Sequence, residues 1–474
     1  MTGIGTGTGT GTGRAALTAG YLEAVAASGA TARDLLGVIP DAGLLATGGR
    51  PRYLSRPLFL GEAEVRRLND DLRHVRAALV SLPGRLYGGD LAAFAAAAGL
   101  TGDQAAAVLR TRAAKVTELA RADMYAGPSG LRLLELNFGS PVDGIDNGDL
   151  CRAMLRHPVL REFARSHRLS YVDTFGQHLD LIFDESGFKR DSSPVVALTD
   201  WPAHYRRLGP FLHKIARRWR ARGLDAHACH LGQLSYSGGR VRLRGRPVDI
   251  VFRLFLPEHL LEPDGHALMD PVLEAAARGE VVLFTPLDAE LYGSKMCLAM
   301  LSDPVNRQVF SPDQRAAIDR LLPWTRMVRP GPVTLEDGLP VDLEEYAADQ
   351  RDSLILKPAL LHGGLGALAG WHPDTTPALW RDRLAAAMGG PYVLQRRVIP
   401  EPELCPGDDG ELVPWIVTWG VFTFPAGYGG VFARAFTADS QLAILLTGSD
   451  MRLGCCLTGS PGAGHGVIAM ATGA

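Results

Sequence analysis

Alternating strand and helix patterns predict an α/β (α+β) protein. Short apolar runs rich in β-branched residues, PVVALTD (194–200) and VVLFTP (281–286), have the length of buried strands. A long Arg-rich segment of helical spacing, 203–222, lies between them, as a strand–helix–strand architecture requires. The third observation is size: 474 residues exceed one simple core and imply two or three lobes. A net charge of −2 excludes a nucleic-acid binder driven by bulk charge, and the basic stretch 213–222 reads as the wet face of a helix. No run reaches the roughly 20 apolar residues of a membrane span. The six cysteines, Cys151, Cys229, Cys297, Cys405, Cys455 and Cys456, lack CxxC spacing, and no apolar signal segment is present. Reduced thiols and a cytoplasmic location are expected.

Residues 1–13, MTGIGTGTGTGTG, read as a disordered low-complexity tail; without a preceding strand they do not form a phosphate loop. Residues 14–120 read as mainly helical. Val65, Leu68, Leu72, Val75 and Leu79 mark one helix face, and an Ala-rich stretch extends the pattern through Leu119. Residues 121–324 form a central α/β region. It opens with RADMY and LRLLELN flanking AGPSG, a β-hairpin signature. Helices follow near 148–166 and 173–184, then strands near 226–236, 240–244 and 248–256, and a helix begins after Gly293. Residues 325–474 read as a β-rich lobe whose strands are SLILKPA, PYVLQRRV, VPWIVTWGVFTF and VFARAFTA. The polar, Pro/Gly-rich segment 401–412 reads as a surface loop.

Alternate strand residues share a face, so Glu135 and Asn137 point one way and Leu134 and Leu136 the other. If the hairpin sets Asp123 opposite Glu135, Arg121 falls opposite Asn137. One surface then carries two carboxylates, an amide oxygen and a guanidinium, oxygen donors of the kind magnesium takes beside substrate phosphates. The plain alternative is an exposed hairpin face with an Arg–Asp pair. The chain has only five lysines, and Lys115, Lys189 and Lys214 stand in ordinary polar or helical surroundings. Lys295 (GSKMCLAML) and Lys357 (ILKPALLHGGLG) do not. Gly363, Gly364 and Gly366 after Lys357 would let backbone N–H groups approach an anion, although neither a Walker loop nor GxGxxG is spelled. A plain hairpin with a buried lysine stem is the competing reading. The strand 391–398 could offer its backbone to a nucleotide base, with Gln395 adding side-chain bonds. Arg434, between Ala and Phe, calls for an anionic partner. The loop 139–149 carries Asp143, Asp146 and Asp149 but lacks an EF-hand glutamate, and Asp149 reads as a helix N-cap.

Together these segments resemble the circularly permuted ATP-grasp ligases, closest to the synthetase domain of glutathionylspermidine synthase, over Arg121 to about Leu457. Arg121-x-Asp123 with Glu135-x-Asn137 is similar to that family's metal and nucleotide cluster. GSKMCLAML resembles its first ATP lysine segment, with Ser294 where asparagine is usual. LKPALLHGGLG resembles the second lysine and lid loop. YVLQRRV resembles the adenine hinge, with Arg396 replacing an acidic residue, and VFARAFTA with LLTGSDM resembles the closing arginine strand.

The resemblance implies an ATP-grasp fold in permuted order, ATP and Mg2+ as cofactors, and amide formation through an acyl phosphate. Arg121 and Arg434 are the expected catalytic cations, and Asp123, Glu135 and Asn137 the metal ligands. Arg121, Lys295, Lys357, Gly363, Gly364, Gly366, Gln395, Arg396 and Val398 would hold ATP, and Ser140 and Arg253 the substrate. Residues 325–474 would supply the lid and nucleotide-binding lobe. Small-molecule carboxylate and amine partners are expected, with no nucleic acid and no membrane, as monomer or homodimer. A catalytically degenerate nucleotide-binding module and a phosphotransferase are the rival readings.

Overall fold

The computed structural model describes residues 13–40, 53–111, 115–141, 143–438 and 451–459. The expected tail is thereby outside the described residues apart from Gly13, as is LLTGSDM apart from Met451. The chain is a mixed α/β protein with several sheets. Its centre is an antiparallel sheet ordered Arg452–Gly454, Gly427–Thr437, Leu412–Phe424, Ala120–Gly127, Gly130–Phe138. The hairpin is thus sealed into a sheet by strands from the last fifth of the chain, with Asp123 opposite Gly420. A second sheet is parallel, ordered Val282–Phe284, Ile250–Arg253, Val195–Asp200, Asp225–His230, and its helices include Pro202–Arg220 and Gly265–Ala277. A third, antiparallel sheet runs Thr325–Met327, Tyr392–Arg396, Leu354–Pro358, Leu368–Ala369. Trp324, Leu354, Leu356, Trp380 and Leu394 form its own core against helices Leu343–Asp349 and Pro377–Ala387.

The longest helix, Glu62–Tyr87, buries Val65, Leu68, Leu72, Val75 and Leu79, the stripe expected from the 3.6-residue period. Glu64 accepts the Gly61 N–H at 2.7 Å to close its first turn, and Gly88 ends it in the left-handed region at φ 59°. Helicity does not continue to Leu119. Two short helices, Leu91–Ala97 and Gly102–Arg110, follow, and a strand begins at Ala120. Gly99 at φ 94° and the Thr101 cap break the Ala-rich run. Asp149 is not the N-cap of its helix: that position is Asp146, and Asp149 instead meets Arg152 and Arg218. No described helix is long and apolar enough to cross a membrane, and all six cysteines are buried and unpaired.

Residues 403–406 are a strand rather than part of a surface loop. The cause is Arg56, fully buried, which donates to Glu403 Oε2 and to Leu404 O, each at 2.7 Å. Glu403 and Cys405 face inward and Leu404 outward, the alternation of a half-buried strand. Removing one member of a buried ion pair strands the other. Glu403→Leu should therefore lower the unfolding free energy by about 3 kcal/mol, read as a lower urea midpoint at unchanged slope. Adding Arg56→Met should restore most of that loss; an unshifted midpoint in the single variant would refute the pairing's importance.

Candidate functional site

The hairpin has the register the spacing suggested: Asp123 faces Glu135 and Arg121 faces Asn137. A bulge follows, because Met124 pairs with Leu133 and leaves Leu134 extra. The alternation slips there, and Leu134 does not join Leu136 on the apolar side; it lines the cleft beside Glu135. Asp123, almost wholly buried, accepts from Arg121 Nε at 2.8 Å and from a terminal guanidinium nitrogen at 2.9 Å. A guanidinium nitrogen of Arg434 lies 2.7 Å from the same carboxylate, which is the anionic partner Arg434 called for. Arg121 also meets Asp143. Despite burial, Asp123 and Asp143 hold Arg121 more firmly protonated than usual. The guanidinium can cross the sheet because position 420 is glycine. A Cβ there would sit 2.8 Å from the Phe432 carbonyl and 3.0 Å from Arg121 Cδ. Nothing in the sequence pattern marked Gly420.

Lys295 is the first residue of helix Lys295–Ser302, capped by Ser294, whose hydroxyl accepts from Met296 N and donates to Ala98 O. The serine in place of asparagine thus fixes the helix start. Lys295 Nζ lies 3.1 Å from Glu135 Oε2 and 2.8 Å from Leu361 O. Burial would raise the Glu135 carboxyl, but Lys295, His362 and Lys357 hold it well below the carboxylate range. Lys357 Nζ donates to Gln395 Oε1 at 2.6 Å and to Leu134 O at 3.4 Å. Burial, with Lys295 adding to it against the pull of Glu135, lowers Lys357 to about 8.

Asp123, Glu135, Lys295, Lys357 and Gln395 line one open cleft, whereas Arg121, Arg434 and Asn137 stand behind its wall. Its walls include Asp123, Glu135, Lys295, Lys357, Gly364, Gln395, Arg396 and Val398. Gly363, Gly364 and Gly366 are all left-handed, at φ 64°, 80° and 71°. Two expected nucleotide contacts have other partners. The Gln395 side chain is buried and bonds Lys357 and Thr325, while the Arg396 guanidinium is held by Glu336 and Tyr346. Arg397, 4.4 Å over the Trp371 ring, is a cleft residue that sequence reasoning did not single out.

Ser140 and Arg253 meet each other inside the protein. Ser140 Oγ donates to Arg253 O, and Arg253 pairs with Glu290 at 2.8 Å and with Thr285 O at 2.7 Å. Arg253 is fully buried, so this network joins the hairpin's exit to the carboxyl end of the parallel sheet. Left-handed Gly139 makes room for it, since a Cβ would lie 2.6 Å from Thr285 Oγ1.

Among the described residues no three His, Cys, Asp or Glu side chains gather as a metal cluster. The remaining set is two carboxylates and the Asn137 amide, whose Nδ2 donates to Asp123 Oδ2 at 3.2 Å and whose oxygen is the third candidate donor. Glu135 meets Lys295 through Oε2, while Asp123 Oδ2 is taken by Arg121, Arg434 and Asn137, so Asp123 keeps a lone pair only on Oδ1, beside the Arg121 Nε bond. Hard oxygen donors in this number fit magnesium.

No family model and no curated protein matches the sequence. Among solved structures, a glutathione synthetase-like effector from Globodera pallida, in its apo form, matches with TM-score 0.55 at 11% identity, over 93% of this chain and 96% of its own. The chain shares that overall fold. A putative gamma-glutamylcysteine synthetase from Methylobacillus flagellatus KT aligns over 84% of this chain and 87% of its own, at 14% identity and TM-score 0.39.

Two consequences can be measured. Gly420→Ala should displace Arg121 from Asp123 and destabilise the fold by about 1–3 kcal/mol; an unchanged melting temperature would contradict the close approach. The second concerns pH. Lys357 sits at about 8 when folded against an ordinary 10.5, so the unfolded chain binds this proton more tightly. Its burden on stability is full below pH 8 and fades as the pH rises to 10.5. Wild-type stability relative to Lys357→Met should therefore improve across that window, and a flat difference would refute the shift.

Proposed function

We propose that the chain is an ATP-dependent carboxylate–amine ligase of the permuted ATP-grasp kind. ATP phosphorylates a substrate carboxylate, an amine displaces phosphate from the acyl phosphate, and the amide, ADP and phosphate leave. The observation that carries the reading is the convergence of Asp123, Glu135, Lys295, Lys357 and the glycine loop on one cleft. The fold shared with a glutathione synthetase-like protein fits it.

In this reading Lys295 and Lys357 meet phosphate oxygens as compact charges, and the loop of Gly363, Gly364 and Gly366 closes over them to exclude water. The hinge at Arg396 and Val398 lies beside the base. Arg121 and Arg434 spread the charge developing on the transferred phosphoryl group. Magnesium, held by Asp123, Glu135 and Asn137, would neutralise the phosphates. Ser140 and Arg253, expected at the substrate, are buried in their own network and would act only by fixing the hairpin's exit against the parallel sheet. The partners are a small-molecule acid and amine, in the cytoplasm, and within 325–474 the sheet of Thr325–Met327, Tyr392–Arg396, Leu354–Pro358 and Leu368–Ala369 would be the nucleotide lobe.

ADP release on presentation of candidate acids and amines tests the reading. A ligase requires both; release with one acceptor alone would make it a phosphotransferase, and no release a binding module. Glu135→Ala should abolish ADP formation while circular dichroism stays native, and Lys357→Ala should raise the ATP requirement about tenfold or more. Unchanged turnover in either variant would overturn that residue's assignment.

A further inference from the structure

We propose that Gln395 is a positioning residue, which aims the Lys357 ammonium into the cleft rather than reading the nucleotide base, and that Thr325 sets which end of its amide does so. The proposal rests on the reading of Lys357 as a phosphate-binding lysine. Three adjacent strands bring the groups together: Thr325 pairs with Gln395, and Gln395 with Ile355, two residues before Lys357. Residues two apart on a strand share a face, so Lys357 is the diagonal neighbour of Gln395. Lys357 Nζ reaches Gln395 Oε1 at 2.6 Å.

The direction of this chain of bonds is fixed at its far end. The Thr325 hydroxyl donates to Pro323 O at 2.9 Å, so its oxygen is left to accept. Gln395 Nε2 donates to that oxygen at 3.2 Å, and Oε1 is thereby turned toward Lys357. The reverse amide would set an NH2 against an ammonium, donor against donor. Both Thr325 and Gln395 are buried, so solvent does not supply an alternative partner.

The chemistry explains why the acceptor is neutral. An ammonium has three N–H groups; Gln395 takes one and Leu134 O a second, leaving the third for the cleft. An amide oxygen holds the nitrogen in place without cancelling its charge. A carboxylate there would pair with the lysine and compete with phosphate, and an apolar group would release the ammonium toward Glu135.

Titration with magnesium–ATP and with adenosine tests the proposal, using Gln395→Met, Gln395→Glu, Thr325→Val and Thr325→Ser. Gln395→Met and Thr325→Val should weaken ATP binding about tenfold, the scale of one hydrogen bond to a charged group, and leave adenosine binding unchanged. Thr325→Ser, which restores the hydroxyl, should bind ATP as the wild type does. Gln395→Glu keeps the size and the acceptor and guards against misfolding of the Met variant; it too should weaken ATP alone. Parallel loss of adenosine would make Gln395 a base contact and overturn the proposal. So would wild-type ATP affinity in Thr325→Val. A wild-type chain that binds neither ligand would sink the nucleotide reading and this proposal with it, whereas ATP binding indifferent to the variants would sink the positioning role alone.

Discussion

The architecture turns on one buried carboxylate. Asp123 is 1% exposed, and an ion at that depth is tolerable only with matched partners. Arg121 comes from its own strand, while Arg434 arrives from a strand two places across the sheet, so the charge balance closes only when Leu412–Phe424 lies between them. Gly420, directly opposite Asp123, leaves the corridor through which the Arg121 guanidinium reaches it. The hairpin's chemistry and the sheet's assembly are therefore one constraint. Asp123 and Glu135 are matched by Arg121, Arg434 and Lys295, whereas Lys357 donates to the neutral oxygens of Gln395 and Leu134, which leaves its charge for an anion at the cleft.

Around that centre, buried polar contacts rather than exposed ones fix the three sheets to one another. Arg253, Glu290, Thr285 and Ser140 tie the parallel sheet to the end of the hairpin. Lys357 ties the third sheet to the hairpin through Leu134 O, and Lys295 ties the helical segment through Glu135 and Leu361. Each tie ends on the Asp123–Glu135 face or its exit, so the cleft is where the sheets are joined as well as where a ligand would sit. Displacing a ligand-facing group would then be felt in the packing of more than one sheet.

How much of this the sequence made legible follows from the range of each interaction. The hairpin's pairing was readable because a period of two and a short Gly/Pro turn are local signals, and the 62–87 helix because five apolar residues shared one face. The convergence of Lys295, Lys357 and Glu135 was legible only through the order of the segments. The bulge at Leu134 was not legible, since one extra residue leaves no compositional trace. Residues 403–406 read as loop because their strand depends on Arg56, more than three hundred positions away. The partner of Gln395 depends on Thr325 in a third strand, and a glutamine's identity alone does not say whether its amide meets a ligand or a lysine.

The scarcity of lysine gains its physical meaning here. Where Asp123 must be gripped from two sides, the chain uses arginine, whose planar fork makes paired bonds and whose charge is permanent. Where a cation stands at the cleft wall, it uses lysine, whose single nitrogen can be aimed by one amide oxygen and one carbonyl. Burial brings Lys357 to about 8, a value at which a nearby anion decides its protonation. An arginine in its place would keep its charge whatever the cleft held and would be too broad for the Gln395–Leu134 cradle. In a chain that otherwise prefers arginine, lysine survives at this wall because the position requires a small charge that responds to its surroundings.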